Sequence, residues 1–483
     1  MPVLSDLEPR EVFAWFERLC AIPHSSHHAK AISDYLVAFA RERGLACQQD
    51  AANNVVIRKA ASAGYENALV VMLQGHIDMV CEKDADCGKD METEGLDLFV
   101  DGDVIGARGT TLGGDDGIAV AMALAVLDAD DIPHGPLECV FTADEEVGMI
   151  GARALDASAL KAKYLINIDS EEERVLTVSC AGACRTLCTL PVTRVPFDGE
   201  TLRVKISGLV GGHSGEEIHK GRANANLLLG RALDEMSRAG ALRLIRVSGG
   251  AKDNAIPREA EAVVLVETRD YDEFAAAVKA YEETVRAEYA GIEDAVSVKI
   301  AEVGKPAEML PKEVAGNLIK AVAACPDGVQ RMSVAMPGLV QTSTNLARVV
   351  SDGRTVKLQC LLRSSVNTEK EALGESIAAL FTLAGAKTEL TGAYNGWTPD
   401  MESPILKAMT ASYEALYGKK PAVTAIHAGL ECGIIGSAYP GLDMISFGPT
   451  ICYPHSPDEK VEIASVGKFY DFLVDTLRNV PEK

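Results

Sequence analysis

Four short segments and one distant loop carry the residue types that hold metal ions and move protons. The first is Gln-Gly-His76-Ile-Asp78, directly after the apolar run 68–73. Alternate residues of an extended chain face the same way, so His76 and Asp78 share a face. An imidazole with a carboxylate two residues on suits a metal ligand whose ring the acid orients, although an isolated H-x-D also fits a histidine with a chance neighbour. The second is Gly113-Gly114-Asp115-Asp116-Gly117, ahead of an Ala-rich stretch at 117–127. Its glycines permit a sharp turn; its acids could bridge cations or simply cap a helix, and they would repel phosphate. The third is Asp144-Glu145-Glu146, after the run 137–142. Three consecutive acids repel one another unless positive charge is near. They fit a solvated turn, or a pair in which one Glu holds a metal and its neighbour moves a proton. Asp169, after the run 164–168, would alone be an ordinary strand-end aspartate. His455 lies in Pro454-His455-Ser-Pro457-Asp-Glu459, a loop stiffened by two prolines.

The elements that must position these residues give them a common place. The runs at 68–73, 137–142 and 164–168 are short and nearly continuous in apolar residues, as strands buried on both faces are. His76, Glu145, Glu146 and Asp169 each follow the carboxyl end of such a strand, and Asp115 opens a helix between two of them. That edge is where open α/β sheets bind ligands. Acids and imidazoles converging there need a divalent cation to offset their charge, and a mixed His/Asp/Glu set suits zinc better than calcium.

The fold class expected is α/β: a catalytic domain with a mostly parallel sheet and helices on both faces, plus an inserted α+β lid or dimerisation domain. Helical periodicity covers 9–21 and 28–44. From 186 the pattern changes to alternating strands at 186–208, near 259–267 and 295–303, and at 338–350 and 354–364, with helices at 222–239, 271–289, 311–324 and 368–384. The α/β style returns with helices at 403–417 and 462–478 and strands at 421–426 and 443–447. The catalytic domain is therefore expected in two segments, 1–185 and 393–483, around an insert at 186–392.

Composition narrows the function classes. A chain of 483 residues fits two or three domains. Lys plus Arg number 47 against 70 Asp plus Glu, a net charge of −23 that makes nucleic acid and anionic membrane poor partners. The twelve cysteines form no C-x2-C pair and read as reduced, packed thiols, which places the chain in the cytoplasm. The N-terminus has no signal-peptide apolar core, and no apolar run approaches the ~20 residues of a membrane span.

Six motifs occur in order: HIDMV at 76–80, GGDDG at 113–117, EEVGM at 145–149, NIDSEE at 167–172, GGHSG at 211–215 and PHSPDE at 454–459. Together they resemble the dinuclear zinc peptidase superfamily that includes carboxypeptidase G, aminoacylase, succinyl-diaminopimelate desuccinylase, peptidase T and carnosinase. HAGLECG at 427–433 and GGHSGEEIHKGRANAN at 211–226 look like its aminoacyl-histidine (Xaa-His, beta-alanyl-histidine) dipeptidase branch. The resemblance implies two divalent metal ions per chain, zinc with cobalt or manganese as alternatives. Asp115 would bridge them, with His76 and Asp169 on one and Glu146 and His455 on the other. Glu145 would be general base and then general acid toward a metal-bridging hydroxide, and Asp78 would orient His76. His213 would stabilise the oxyanion in the other subunit of a homodimer, while Asn254 and Arg363 would bind substrate and the lid would close over it. The substrate implied is a short peptide with a free C-terminus, an Xaa-His dipeptide. The alternative is a related amidohydrolase: a deacylase, desuccinylase or tripeptidase.

Overall fold

The computed structural model describes residues 2–197, 201–239, 242–304 and 308–480. The chain divides into two compact units: one comprises 1–180, 397–425 and 430–483, the other 181–396 and 426–429.

The first unit is built on an eight-stranded sheet. Its order is Ala46–Gln49, Val55–Lys59, Leu137–Thr142, Val71–His76, Tyr164–Asn167, Asp443–Ser446, Val175–Cys180, Ala422–Ile426. The four strands from Leu137–Thr142 to Asp443–Ser446 run parallel and are buried almost throughout, which is why they read as apolar runs without alternation. The sheet is nonetheless mixed. Ala46–Gln49 and Val55–Lys59 form a hairpin that joins Leu137–Thr142 antiparallel, and Val175–Cys180 is antiparallel to Asp443–Ser446. The hairpin turn is closed by the Asp50 carboxylate, which accepts from the Ala52 and Asn54 N–H groups. The helix Gly114–Asp128 is buried along nearly its whole length, since its Ala- and Gly-rich surface allows neighbours on every side. A Cβ on Gly117 would lie 3.2 Å from the Phe16 ring. The helices Pro404–Tyr417 and Ile463–Arg478 meet through Tyr413 and Phe472, whose ring centroids are 5.2 Å apart and edge-to-face.

A second, four-stranded antiparallel sheet in this unit was not expected. Its order is Ile451–Cys452, Lys460–Glu462, Val104–Ala107, Leu98–Asp101. The PHSPDE loop is the connection between the first two of these strands, so the small sheet delivers His455 from far along the chain.

The second unit carries a nine-stranded sheet in the order Ser297–Val303, Thr201–Ser207, Ala260–Leu265, Arg243–Gly249, Val340–Ser351, Thr355–Ser364, Gly182–Pro191, Lys387–Tyr394, with Gly328–Met332 also on Val340–Ser351. Every pairing recorded is antiparallel. The helices Ala225–Ala239, Tyr271–Glu288, Lys312–Ala323 and Asn367–Leu383 belong to the same unit. Its core gathers Leu229, Leu233, Val264, Val285, Leu318, Leu346, Leu362 and Phe381. Residues 198–200, inside the stretch read as alternating strands, lie outside the described residues. Cys184 and Cys188 sit on one face of Gly182–Pro191 and point into packing. All twelve cysteines are free thiols.

Candidate metal centre

The carboxyl ends of the parallel strands present the charged residues. His76 ends the strand Val71–His76 and is buried. Its Nδ1 lies 2.9 Å from the Asp78 carbonyl oxygen and 3.6 Å from Asp78 Oδ1. An Nδ1–H donating there leaves the Nε2 lone pair for a metal. Nε2 is 3.1 Å from Asp115 Oδ1 and 3.7 Å from Asp169 Oδ1. On the other side, Asp115 Oδ2 is 3.1 Å from His455 Nε2, which is 2.8 Å from Glu146 Oε1. Asp115 thus stands between two imidazoles with one oxygen turned to each. Ligand atoms of Asp115, Glu146 and His455 lie within 4.8 Å of one another, as do those of His76, Asp116 and Asp169, and those of His76, Glu145 and Glu146.

The local backbone serves this convergence. Asp115 and Asp116 depart from helical dihedrals at the start of their helix. Asp116 Oδ2 accepts the His76 N–H at 3.1 Å, an approach open only because residue 75 is glycine: a Cβ there would stand 2.5 Å from that oxygen. Asp144 and His455 adopt left-handed backbone, φ 57° and 59°, a conformation that non-glycine residues hold where surrounding contacts enforce it. The Asp78 carboxylate ties the groups together, accepting from the Glu145 N–H at 2.9 Å and the Ser26 hydroxyl at 2.8 Å.

The electrostatics describe a site crowded with negative charge. Burial drives the carboxyls of Asp116 and Asp169 well above the usual range, and neighbouring acids add to it. Burial also pushes Glu145 up to about 8, with Glu431, Glu146 and Asp115 contributing against the opposing pull of His76. For His76, burial would lower the pKa, but Asp115, Asp78 and Asp169 override it and hold the imidazole well above its ordinary value. His455 is raised to about 10 by Asp115 and Glu146. Buried carboxylates in such number are stable as anions only beside compensating cations. Glu146 Oε1 is buried and faces His455 Nε2 at 2.8 Å. A carboxylate oxygen and an imidazole nitrogen at that separation can share one cation once the ring gives up its proton, and the donor set fits zinc or a related divalent ion.

A polar network beneath the site was missed by sequence reading. Glu431 is fully buried and its Oε2 accepts from the Gln74 amide and the Thr142 hydroxyl, while Asn167 Nδ2 donates to Gln74 Oε1. These three partners sit on the strands that lead to His76, Glu145 and Asp169. Burial pushes Glu431 up to about 7. Its acidic position within HAGLECG was the only signal available.

In the second unit the structure brings His213 and Arg363 together and adds His427. His213 lies in the short strand Gly212–His213, opposite Ala255, and the Ser214 N–H donates to the Asn254 carbonyl at 2.8 Å; the Asn254 side chain is exposed. A Cβ on Gly215 would lie 3.0 Å from both Arg363 Nε and His213 Cε1, and 2.5 Å from the His427 carbonyl oxygen. Arg363 is buried and its Nε has no hydrogen-bond partner among the described residues. His427 Nε2 is 2.7 Å from Ser343 Oγ. Burial, then Arg363, lowers His427 to about 3, and the same two causes lower His213. Glu217 stands beside it as well: its Oε2 accepts the His213 N–H at 2.9 Å, while His213 Nδ1 accepts the Glu216 N–H at 3.1 Å.

The fold and the acidic centre define the class: the chain belongs to peptidase family M20/M25/M40, whose model matches residues 72–479, and is a hydrolase acting on peptide bonds. It is 41% identical over 485 residues to the cytosol non-specific dipeptidase of Escherichia coli (strain K12), covering 100% of both chains. The crystal structure of aminoacylhistidine dipeptidase from Vibrio alginolyticus superposes with a TM-score of 0.94 at 41% identity, covering 99% of this chain and 98% of that one. Aminopeptidase PepT from Bacillus cereus ATCC 10987 superposes with a TM-score of 0.58 at 15% identity, covering 98% and 99%, which is a likeness of fold.

Proposed function

We propose that the chain is a dipeptidase that uses two divalent metal ions to cleave short peptides with a free C-terminus, Xaa-His dipeptides including beta-alanyl-histidine among them. The observation that carries this reading is Asp115, whose two oxygens each stand 3.1 Å from a different imidazole. His76 and Asp169 would hold one ion, Glu146 and His455 the other, with Asp115 common to both. Zinc is the proposed metal, with cobalt or manganese as substitutes. When bound, such a pair supplies polarisation of the peptide carbonyl and activation of water.

The chain's own groups do the rest. Glu145, a half-buried carboxylate, would take a proton from water and return it to the leaving amine. Asp78 fixes both the Glu145 backbone and the His76 ring. His213 is the proposed donor to the developing oxyanion, an interaction worth ~3–4 kcal/mol per donor elsewhere. Arg363, its Nε without a hydrogen-bond partner among the described residues, would suit the substrate carboxylate in bidentate fashion, with Asn254 as a further substrate contact. A homodimer would let His213 serve the other subunit's substrate. The cytoplasm is the proposed compartment, in keeping with the name of the Escherichia coli relative and with twelve free thiols. Among the described residues no helix is long and apolar enough to cross a membrane.

The test is a substrate panel with purified protein: beta-alanyl-histidine, other dipeptides, tripeptides and N-acyl amino acids, each with chelator and after metal add-back. Dipeptides are expected to be cleaved fastest, with activity lost to chelator and restored by zinc, cobalt or manganese. Preference for N-acyl amino acids or tripeptides would move the chain to another activity of the family, and indifference to chelator would remove the metal from the account.

A further inference from the structure

The last residue of the PHSPDE motif has no part in the chemistry above, yet it makes the densest set of hydrogen bonds around the centre. Glu459 is buried, 3% exposed. Its Oε2 accepts from the N–H groups of Leu112 at 2.8 Å and Gly113 at 3.0 Å, and its Oε1 from those of Gly114 at 2.8 Å and Asp115 at 3.2 Å. Four successive backbone donors therefore converge on one carboxylate, an anion-holding concavity of the kind that turns with a left-handed residue create. Gly113 supplies that residue, with φ 66°. Gly114 supplies the room: a Cβ there would stand 2.4 Å from Val461 Cγ2 and 3.2 Å from Glu459 Oε1.

Glu459 follows His455 by four residues in the same loop, and its own N–H donates to the Ser456 carbonyl at 3.0 Å. One side chain thus joins the loop that carries His455 to the loop that carries Asp115, two segments separated by 344 positions along the chain. We infer that Glu459 is the positioning residue of the two-metal centre, setting the bridging carboxylate of Asp115 in register with the His455 imidazole. The GGDDG and PHSPDE motifs are, on this view, two halves of one device. The glycines are shaped by the approach of Glu459, and Glu459 by the need to hold Asp115 between two ligand sets. Partners of this kind, which touch no metal themselves, commonly change metal affinity 10–100-fold when replaced. The inference rests on the metal reading of the site.

The experiment is a titration of metal-free wild type, Glu459→Gln and Glu459→Asp with zinc against a competing chelator. It is joined by cobalt(II) absorption spectra and by the unfolding temperature of each metal-free protein. Glutamine keeps the size but turns an amide donor toward backbone donors. Wild type is expected to bind two ions. Glu459→Gln is expected to lose affinity about 10–100-fold for at least one and to show an altered cobalt spectrum, and Glu459→Asp to recover part of that loss. A Glu459→Gln protein that unfolds at lower temperature yet binds both ions with wild-type affinity and spectrum overturns the inference, because the residue would then be merely structural. Wild type that binds no ion would instead remove the metal reading itself. If Glu459→Gln does not fold, amide hydrogen exchange in metal-free wild type decides. Leu112–Asp115 are expected to be protected like the parallel strands, and fast exchange there refutes the clamp.

Discussion

Among single residues, the neighbouring acids Glu145 and Glu146 are set apart by their environment. Glu146 stands against His455 at 2.8 Å. Glu145 has its N–H on Asp78 and its carboxyl raised by burial. Replacing Glu145 with Gln should lower kcat at least ~100-fold, the scale of a general base, with metal content unchanged by elemental analysis. Wild-type turnover in that variant would contradict the assignment. A second prediction follows from the imidazoles. His455 is raised to about 10 and His76 well above its ordinary value, so both carry protons near neutrality until a cation displaces them. Metal binding should therefore release protons and strengthen as pH rises from 6 to 8. Calorimetry in buffers of different ionisation enthalpy would count those protons, and none released would count against the reading. The five metal-ligand candidates were legible because each follows a strand end or sits in an ordered motif. Glu431 was not: its hydrogen-bond partner Gln74 is 357 positions away, and its place in HAGLECG does not point to that partner.

At the scale of elements, the four parallel strands were readable because burial on both faces leaves a continuous apolar run. The hairpin Ala46–Gln49 and Val55–Lys59 was not, since its first strand is polar and only partly buried. The strands Ile451–Cys452 and Lys460–Glu462, of 2 and 3 residues, are too short for any alternation to show. Yet that small sheet is what brings His455 to Asp115. The contact between strand and helix at the site also makes a prediction. Gly75→Ala would place a Cβ 2.5 Å from Asp116 Oδ2 and 3.1 Å from Ala119 Cβ. It should cost ~1–3 kcal/mol in denaturant unfolding, the range for overpacking, and weaken metal binding at His76. An alanine variant with wild-type stability and affinity would show that Asp116 need not approach so closely.

At the scale of the whole molecule, the composition has a local meaning. A net charge of −23 makes polyanions poor partners, and part of that surplus is concentrated where cations are needed. The insertion of one unit into another was legible as a change from apolar runs to antiparallel alternation. The short piece 426–429, which belongs to the second unit, was not, because four residues carry no periodicity. Its His427 joins His213 and Arg363 there, so that cluster is assembled from segments that no local pattern connects. The likeness to the solved Vibrio alginolyticus dipeptidase spans nearly the full chain, which is how far order of motifs alone had carried the family resemblance.

The most direct measurement is anomalous diffraction at the zinc edge from crystals of metal-loaded protein. Two peaks are expected about 3.5–4 Å apart, one beside His76 and Asp169, one beside Glu146 and His455, with Asp115 touching both. A single peak, or none in contact with Asp115, would contradict that expectation.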